Sequence, residues 1–262
     1  MRSGPDTVQV LSVASEIYPL VKTGGLADVA GALPAALAGQ GVAMRSLVPG
    51  YPAVVRALQN GEALHHYGDL FGGPARLVGG NARSLDVIVL DAPHLYDRPG
   101  NPYLGPDGKD WSDNAQRFAY LARAALALPG ALGLRPKIVH VNDWQTGLVP
   151  FLLGHEHGQD PNLAGARTVY TIHNLAYQGV FPKDAVPALG IPWSAFHWEQ
   201  LEFHDQLSFM KAGLVFADAL TTVSPTYARE ILGEEAGHGL DALLRARSAD
   251  LSGILNGIST DE

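Results

Sequence analysis

The stretch that decides the fold is residues 8–48, which begins VQVLSVA at residues 8–14 and continues through KTGG at residues 22–25. The first segment is rich in β-branched residues and predicts a strand. After the loop, residues 26–37 carry apolar side chains at helical spacing, and residues 43–48 form a second short apolar run. Strand, glycine-rich loop, helix and strand make a βαβ unit, which predicts parallel pairing of the strands.

Strand-like and helix-like segments continue to alternate along the rest of the chain. The predicted strands are residues 85–90, 138–141, 167–172, 219–223 and 251–255. The predicted helices are residues 114–128, 146–155, 205–216 and 226–232. This alternation indicates an α/β domain built on a Rossmann-like, doubly wound parallel sheet. Residues 61–80 and 96–111 are rich in glycine or proline, and we expect them to form a hairpin and a long loop.

Composition and charge exclude several classes of protein. Of the 262 residues, 47% are hydrophobic and 17% are charged, which is ordinary for a globular domain. The formal net charge of −8 argues against a general affinity for nucleic acid or for an anionic membrane, because phosphate groups attract a basic surface. The chain contains no cysteine, which excludes disulfides and a thiol nucleophile and fits a cytoplasmic protein. No apolar run approaches the ~18 residues of a membrane span.

Lys22, Gly24 and Gly25 form the best candidate for binding an anion. Glycines allow a close approach to the backbone, the following helix points its N-terminus at the loop, and Lys22 adds a full positive charge. The alternative is a tight strand-to-helix turn in which both glycines serve geometry alone. The loop is not a dinucleotide fingerprint, because G-x-G-x-x-G is absent, and the one Gly-Lys pair, at residues 108–109, does not continue as a Walker A loop.

Polar side chains follow three of the predicted strands. Glu16 follows the first strand, Asp143 and Trp144 follow a second, and His173 and Asn174 follow a third. Since ligands of open parallel sheets bind beyond the carboxyl ends of the strands, we expect these residues near Lys22. For each residue a structural alternative stays open. Asp143 either contacts a sugar hydroxyl or caps a helix, Trp144 either stacks on a sugar or packs in the core, and His173 either contacts the sugar or is structural.

We predict no metal site from the sequence. His155 and His157 lie two residues apart, so a helix would direct them to different faces. No D-x-D pair is present that would hold a metal-bound diphosphate.

Seven segments resemble bacterial glycogen synthases and plant starch synthases, in the same order along the chain. Together they extend over nearly the whole chain after the first seven residues. They are residues 15–29 (SEIYPLVKTGGLADV), 91–100 (DAPHLYDRPG), 139–144 (VHVNDW), 171–179 (TIHNLAYQG), 211–214 (KAGL), 223–230 (VSPTYARE) and 253–258 (GILNGI).

The resemblance implies the N-terminal domain of a GT-B glycosyltransferase over residues 1–262. In that fold two Rossmann-like domains face each other across a cleft that holds the active site. The implied reaction moves glucose from ADP-glucose to the non-reducing end of an α-1,4-glucan, retains the anomeric configuration and needs no metal. We therefore expect no cofactor, and we expect ADP-glucose and a glucan as partners.

The resemblance also implies roles for particular residues. Lys22 and Gly25 are expected beside the diphosphate, and Asp143 and His173 are expected to act in catalysis. The other residues expected to surround the donor sugar or acceptor, or to line the cleft, are Glu16, Asp28, Tyr96, Asn174 and Asn256. Gly24 and Trp144, singled out above from the sequence pattern, are also expected to bind the substrate.

Two features depart from the family pattern. Gln145 and Thr146 follow Trp144 at a place where the bacterial enzymes usually have a histidine. The second domain, which in the family supplies the nucleotide pocket, is missing, so we interpret the end of the chain as a truncation and expect this piece alone to be inactive. The alternatives are a binding module for glucan or sugar nucleotide, and a half that assembles with a separate chain. The choice between ADP and UDP stays open, because the base pocket would lie in the missing domain.

Overall fold

The structure is a computed structural model that describes residues 7–83 and 85–257. Predictions that concern residues 1–6 and 258–262, including Ile258 and the chain end, lie outside the described residues. The strands of the described part are β1 (Val8–Val13), β2 (Val42–Pro49), β3 (Gln59–Tyr67), β4 (Ala75–Ala82), β5 (Leu85–Asp91), β6 (Ile138–Asn142), β7 (Arg167–Ile172), β8 (Val180–Pro182), β9 (Glu202–Phe203), β10 (Gln206–Ser208), β11 (Ala219–Thr222) and β12 (Leu251–Gly253).

Nine of these strands form one sheet, in the order β12-β11-β7-β6-β1-β2-β5-β4-β3. The seven strands from β12 to β5 run parallel to their neighbours. The chain starts at β1 near the centre, proceeds to β2 and β5 on one side, and then returns to fill the other side from β6 outward. The predicted doubly wound α/β architecture is therefore confirmed.

The predicted hairpin at residues 61–80 is also present, and it extends the sheet. β3 pairs antiparallel with β4, and β4 pairs antiparallel with β5. An otherwise parallel sheet with antiparallel strands at one edge is common in doubly wound folds.

The helices connect the parallel strands and cover both faces of the sheet. They are α1 (Gly25–Ala38), α2 (Pro52–Ala57), α3 (Pro93–Tyr96), α4 (Asn114–Leu132), α5 (Leu148–Glu156), α6 (Ala185–Ala188), α7 (Phe209–Phe216), α8 (Pro225–Glu230), α9 (Glu234–Gly237) and α10 (Asp241–Ala246). α4 contacts α5, and α5 contacts α7, so these three helices form one layer. Because β–α–β crossovers are right-handed, α1 lies on the opposite face.

Central strands are apolar along their whole length because both faces are covered. In β5 the four residues Val87, Ile88, Val89 and Leu90 are all 0% exposed. α4 is buried along most of its length because it packs against the sheet and, within its layer, against α5. Each such side chain stabilises the fold by roughly 1.5–3 kcal/mol when fully buried.

Two predicted helices begin later than the sequence pattern indicated. Residues 205–208 are not helical, because Asp205 has a left-handed backbone (φ 59°) and β10 follows it. The helix begins at Phe209, where the Ser208 side chain caps it by accepting the backbone N–H of Lys211 at 3.1 Å. The helix predicted from residue 146 begins at Leu148, after a short 3₁₀ turn.

Candidate functional site

The candidate residues lie where the sheet changes its winding direction. β1 and β6 are neighbours, but the chain leaves β1 toward β2 and leaves β6 toward β7. At such a switch point the loops that follow the two strands diverge and open a crevice at the carboxyl edge. Glu16 follows β1, Asp143 follows β6 and His173 follows β7. The prediction that these three residues share one edge is confirmed by the strand directions.

Gly24 and Gly25 begin helix α1 on a backbone that any residue could adopt. Gly24 precedes the helix in an extended conformation, with φ −152° and ψ −168°. A Cβ atom at either position would have no neighbour within 4 Å. Neither a left-handed turn nor packing inside the chain therefore requires glycine here, which removes the basis for the tight-turn alternative. The open space before a helix N-terminus suits a ligand that approaches the backbone closely.

Lys22 stands beside this open space on the protein surface. Its Nζ lies 2.7 Å from Asp28 Oδ1, and the two side chains are 47% and 48% exposed. It also lies 5.4 Å from the centre of the Tyr18 ring. An ion pair this exposed is weak, so an arriving anion can compete for the lysine. Asp28 thus holds Lys22 close to the start of α1. The contact observed for Asp28 is this ion pair, and its expected contact with substrate stays a prediction.

Glu16 is a buried carboxylate that fastens the loop to the rest of the domain. It is 3% exposed and accepts three hydrogen bonds: from the Thr23 backbone N–H, from the Thr23 hydroxyl at 2.6 Å and from the Tyr103 hydroxyl. These hydrogen bonds engage both Glu16 oxygens within the chain, and the expectation that Glu16 surrounds the substrate stays a prediction. Its observed role is to position Thr23, and hence Lys22 and the glycines.

Asp143 forms the buried corner between β6 and β7. Its Oδ1 accepts the backbone N–H of His173 at 2.7 Å and that of Asn174 at 3.3 Å. The helix-cap alternative is not observed, because the Asp143 side chain makes no cap hydrogen bond. Burial raises the pKa of Asp143 to about 7, against the opposing effect of those two backbone hydrogen bonds, and the nearby Glu16 carboxylate adds to the rise. Such a carboxyl group in a crevice is typical of a functional site.

The backbone at Asp143 is itself unusual. Its φ of 53° lies in the left-handed region that few residues other than glycine adopt. The bend turns the carboxylate away from the following helix and toward the end of β7, where it meets the two N–H groups. Strain at a residue with a shifted pKa is a recurrent property of functional sites.

His173 is a half-buried neutral imidazole. Its Nε2 lies 3.0 Å from Oδ1 of Asn142, the last residue of β6. Burial lowers the pKa of His173 to about 4, with a further contribution from the neighbouring His140. Its Nδ1 is buried and has no hydrogen-bond partner among the described residues. The ring is therefore only half satisfied by the described residues, a state that it shares with the buried His140.

Trp144 belongs to the core rather than to a sugar-stacking surface. Its ring centroid lies 5.0 Å from that of Phe118, 5.8 Å from Phe181 and 6.4 Å from Phe209. A Cβ at Gly179 would lie 2.3 Å from the indole, so the chain closes over the ring. Of the two alternatives that the sequence left open, local packing is observed.

Tyr96, in the short helix that follows β5, is likewise enclosed. It is 1% exposed, and its hydroxyl donates to the backbone carbonyl of Arg117 at 2.8 Å. The substrate contact expected for Tyr96 stays a prediction, and the contacts observed are with the chain itself. Arg117 in turn donates to the carbonyls of Leu95 and Pro102, at 2.8 and 3.0 Å, which fastens the start of the long loop at residues 97–113.

Asn174 and Asn256 are exposed at different distances from the corner. Asn174 follows His173, and its side chain accepts the backbone N–H of Ala176 at 3.0 Å. Asn256 follows β12, the edge strand, which is two strands away from β7 in the sheet. At about 4.8 Å per strand β12 and β7 are roughly 10 Å apart. The structure thus groups Asn174 with the corner and leaves Asn256 at the margin.

Two residues that sequence reasoning missed complete the geometry. Thr23 carries both hydrogen bonds that join the loop to Glu16. Tyr103 reaches the same carboxylate from 87 positions further along the chain and also bonds to Ser15 Oγ at 2.8 Å. Thr23 was adjacent to a recognised motif, but no local pattern signals a contact as distant as that of Tyr103.

The described part of the chain shows neither a metal cluster nor a membrane span. Within residues 7–83 and 85–257, no three His, Cys, Asp or Glu side chains are grouped to hold an ion. Among the helices in those ranges, none combines the length and apolar character needed to cross a bilayer.

Fold and site together define a doubly wound α/β domain with an open glycine loop and a buried carboxyl group at its switch point. The family model described as "Starch synthase catalytic domain" matches residues 9–246. This chain belongs to that family.

Curated relatives support the same assignment. The glycogen synthase of Anaeromyxobacter sp. (strain Fw109-5) is 59% identical over 255 residues, which cover 97% of this chain and 53% of the relative. The glycogen synthase of Rhodopseudomonas palustris (strain ATCC BAA-98 / CGA009) is 56% identical over 257 residues, or 97% of this chain and 52% of the relative. The chain therefore spans about half the length of these relatives.

A solved structure matches the fold over nearly the whole chain. The catalytic domain of starch synthase IV from Arabidopsis thaliana, bound to ADP and acarbose, superposes with a TM-score of 0.86 at 30% identity. The match covers 97% of this chain and 52% of that protein.

Proposed function

We propose that this chain forms one side of the active site of a retaining glycosyltransferase. The enzyme transfers glucose from ADP-glucose to the non-reducing end of an α-1,4-glucan. The observation that carries the proposal is the unobstructed pair Gly24 and Gly25 at the start of α1, at the same sheet edge as the buried Asp143. The names of the relatives and the ADP bound to the Arabidopsis neighbour support the donor.

The loop suits the leaving group of this reaction. Breaking the glycosidic bond of ADP-glucose leaves negative charge on a diphosphate. The N-terminus of α1 presents backbone N–H groups and the positive end of the helix dipole, and Lys22 adds a mobile ammonium. Groups that are positioned before the charge develops stabilise the transition state without reorganisation.

The corner suits the sugar that is transferred. As the bond breaks, the anomeric carbon acquires oxocarbenium character, and a carboxylate nearby stabilises that positive charge. Burial raises the pKa of Asp143 because ionisation is unfavourable without a cation. A cation that develops beside it removes that penalty, so the interaction is stronger in the transition state than in the free enzyme.

A second domain supplies the opposite side of the site in this proposal. Lys22, Gly24 and Gly25 are exposed, and the relatives extend to about twice the length of the chain. We assign the base pocket and further phosphate contacts to that other half. The reaction needs no metal or other cofactor, and the cytoplasmic location expected from the sequence stays part of the proposal.

The test uses a fusion of this chain to the C-terminal half of the Anaeromyxobacter relative, called here the fused protein. Incorporation of radiolabelled glucose from ADP-glucose into glycogen is measured for the fused protein, for this chain and for the C-terminal half alone. We expect transfer by the fused protein and at least ~1,000-fold less by either half, because each lacks half of the preorganised contacts.

The outcomes separate this proposal from its rival. A folded fused protein without transfer would contradict the glycosyltransferase. Robust transfer by this chain alone would refute the need for a second domain. If only this chain binds glucan or ADP-glucose and no fusion turns over, the binding-module alternative is supported instead. Addition of EDTA is expected to leave the rate of the fused protein unchanged.

A further inference from the structure

Asn142 is the last residue of β6 and lies between the end of β1 and the end of β7. It is 1% exposed, and its side chain makes two contacts. Nδ2 donates to the Val13 carbonyl at 3.1 Å, and Oδ1 lies 3.0 Å from His173 Nε2. Its backbone is held as well, because its N–H donates to the Thr146 hydroxyl at 2.6 Å.

We propose that Asn142 is a positioning residue that holds His173 as the imidazole tautomer protonated on Nε2. His173 then has a lone pair at Nδ1 and acts in glucose transfer as a hydrogen-bond acceptor, not as a proton donor. The functional part of this inference rests on the proposed glycosyltransferase, whereas the tautomer is a property of the chain itself.

The tautomer follows from the donors and acceptors around Asn142. A backbone carbonyl only accepts hydrogen bonds, so the amide nitrogen of Asn142 must face Val13. The amide oxygen therefore faces His173, and an oxygen that only accepts requires a proton on Nε2. Turning the amide over would set its oxygen against the Val13 oxygen and its NH₂ against Nε2. Two acceptors would then face each other in a buried site, which is costly.

The backbone of His173 is held from the same strand end. Asp143, the neighbour of Asn142, accepts the His173 N–H at 2.7 Å. Consecutive residues of β6 therefore hold the ring and the main chain of one histidine. Two anchors of this kind leave the imidazole little freedom to rotate, which is the property expected of a preorganised group.

The buried Nδ1 indicates what the ring is prepared for. It has no hydrogen-bond partner among the described residues, like Nδ1 of His140, but His173 follows the end of β7 at the proposed site whereas His140 lies within β6. In this tautomer it offers a lone pair to a hydroxyl group, of which the sugar has several. Since burial lowers the pKa of His173 to about 4, the ring stays neutral near pH 7 and has no proton to give at Nδ1.

The tautomer is tested by NMR on this chain labelled with ¹⁵N-histidine. Protonated and unprotonated ring nitrogens have well separated ¹⁵N shifts, and His173→Gln identifies the signal among the ten histidines. We expect a single Nε2–H tautomer for His173 in the unaltered chain and a mixture of tautomers in Asn142→Ala. A dominant Nδ1–H form in the unaltered chain would overturn the proposal, whether or not the variant folds.

Thr222→Val is the matched control. Thr222 is as buried as Asn142, and its hydroxyl donates to the carbonyl of Ile172, the residue before His173, at 2.7 Å. The substitution removes a buried hydrogen bond at the same end of β7 but leaves the imidazole untouched. We expect the His173 tautomer to be unchanged in this variant. If Thr222→Val also gives a mixture of His173 tautomers, as expected for Asn142→Ala, a general destabilisation of this end of β7 explains the effect, and positioning by Asn142 does not.

Kinetics of the fused protein test the functional part. Asn142→Ala is expected to lower kcat roughly tenfold and to change KM for ADP-glucose less than about twofold, because a misplaced ring affects mainly the transition state. Thr222→Val should change neither value. An unchanged kcat in Asn142→Ala beside an altered tautomer would refute the positioning role. Loss of transfer in every fused protein, with the NMR result intact, would instead refute the proposed function.

Discussion

The loop at residues 22–25 and the corner at Asp143 lie at one sheet edge but are built in opposite ways. The loop is exposed, and its glycines have open space around them. The corner is buried, bent at a left-handed φ and hydrogen-bonded to the next strand. The difference indicates that the corner is completed within this chain, whereas the loop is prepared for groups that come from outside it.

Because the two regions differ in burial, we expect substitutions in them to affect folding stability and activity differently. Substitutions in the loop remove few contacts inside the chain, so they should affect ligand binding without affecting folding. Substitutions in the corner change burial and charge, so they should alter folding stability and the rate together. The predictions below concern the fused protein and proceed from the largest expected effect on activity to the smallest.

Asp143→Asn should abolish transfer almost completely. The amide oxygen can still accept the N–H groups of His173 and Asn174, so the shape of the corner is retained, but the negative charge is gone. We expect kcat to fall by about 100- to 1,000-fold, as for the loss of a preorganised electrostatic contact. A kcat within fivefold of the unaltered fused protein would contradict the role of this carboxylate.

The same substitution should stabilise the isolated chain at high pH. Because burial raises the pKa of Asp143 to about 7, the folded chain binds more protons than the unfolded chain between about pH 4 and pH 7. Its contribution therefore lowers the free energy of unfolding as pH rises through that window. We expect the gain of Asp143→Asn over the unaltered chain to be about 4 kcal/mol larger at pH 8 than at pH 4, by urea unfolding, because the pKa is raised by roughly three units. An equal difference at both pH values would contradict the raised pKa.

Gly25→Ala should weaken donor binding without weakening the fold. A Cβ there has no neighbour within 4 Å, and alanine favours a helix over glycine by about 1 kcal/mol. We expect KM for ADP-glucose to rise about 30-fold, because the methyl group occupies space proposed for the diphosphate, while Tm is unchanged or higher.

Gly31→Ala, in the same helix, is the matched control. A Cβ at Gly31 would lie 2.3 Å from the Tyr18 carbonyl oxygen, so this variant should lose several degrees of Tm. An unchanged KM in Gly25→Ala would show that the open space is not used by the donor.

Lys22→Ala should have a smaller effect of the same kind. Its ion pair with Asp28 is half exposed, so the free energy of unfolding should change by less than about 0.5 kcal/mol. The loss of one phosphate contact should raise KM for ADP-glucose about tenfold. Lys183→Ala removes a comparably exposed pair with Asp205 and should leave KM unchanged. Similar KM values in the two variants would argue against a special role for Lys22.

Tyr103→Phe should give the smallest effect on activity. It removes one of three hydrogen bonds to Glu16, but both bonds from Thr23 remain. We expect KM for ADP-glucose to rise about threefold and the free energy of unfolding to fall by about 1–2 kcal/mol. Tyr51→Phe is the control: the hydroxyl of this buried tyrosine has no hydrogen-bond partner within residues 7–83 and 85–257, so KM and the free energy of unfolding should both stay unchanged. A larger KM effect in Tyr51→Phe would contradict the anchoring of the loop through Glu16.

Sequence reasoning succeeded where the information is local. The alternation of strands and helices predicted the doubly wound sheet, and positions after strand ends predicted the shared edge of Glu16, Asp143 and His173. It failed at residues 205–208. The helical spacing of apolar residues continues there, but Ser208 caps the N-terminus of the helix, which therefore begins only at Phe209. The periodicity of apolar residues indicates which face of a segment is buried, but it does not indicate which other segment packs against that face.

The roles of buried side chains were the least predictable. Tyr96 and Trp144 matched a functional motif, yet both are enclosed by residues from distant parts of the chain. For Glu16, expected at the substrate, the sequence did not indicate the observed hydrogen bonds with Thr23 and Tyr103. Burial depends on contacts between residues tens of positions apart, which no window of sequence contains.

The sequence by itself determined the fold class, the family and the loop at residues 22–25, because local pattern and colinear motifs carry that information. Only the tertiary structure decided which residues touch which: that the glycines have open space before them, that Glu16 is committed to the loop, and that Asn142 and Asp143 jointly hold His173. The physical reason is that these contacts join residues far apart in the sequence. Their packing and hydrogen bonds, and hence the distances in the site, are determined only when the strands assemble into the sheet.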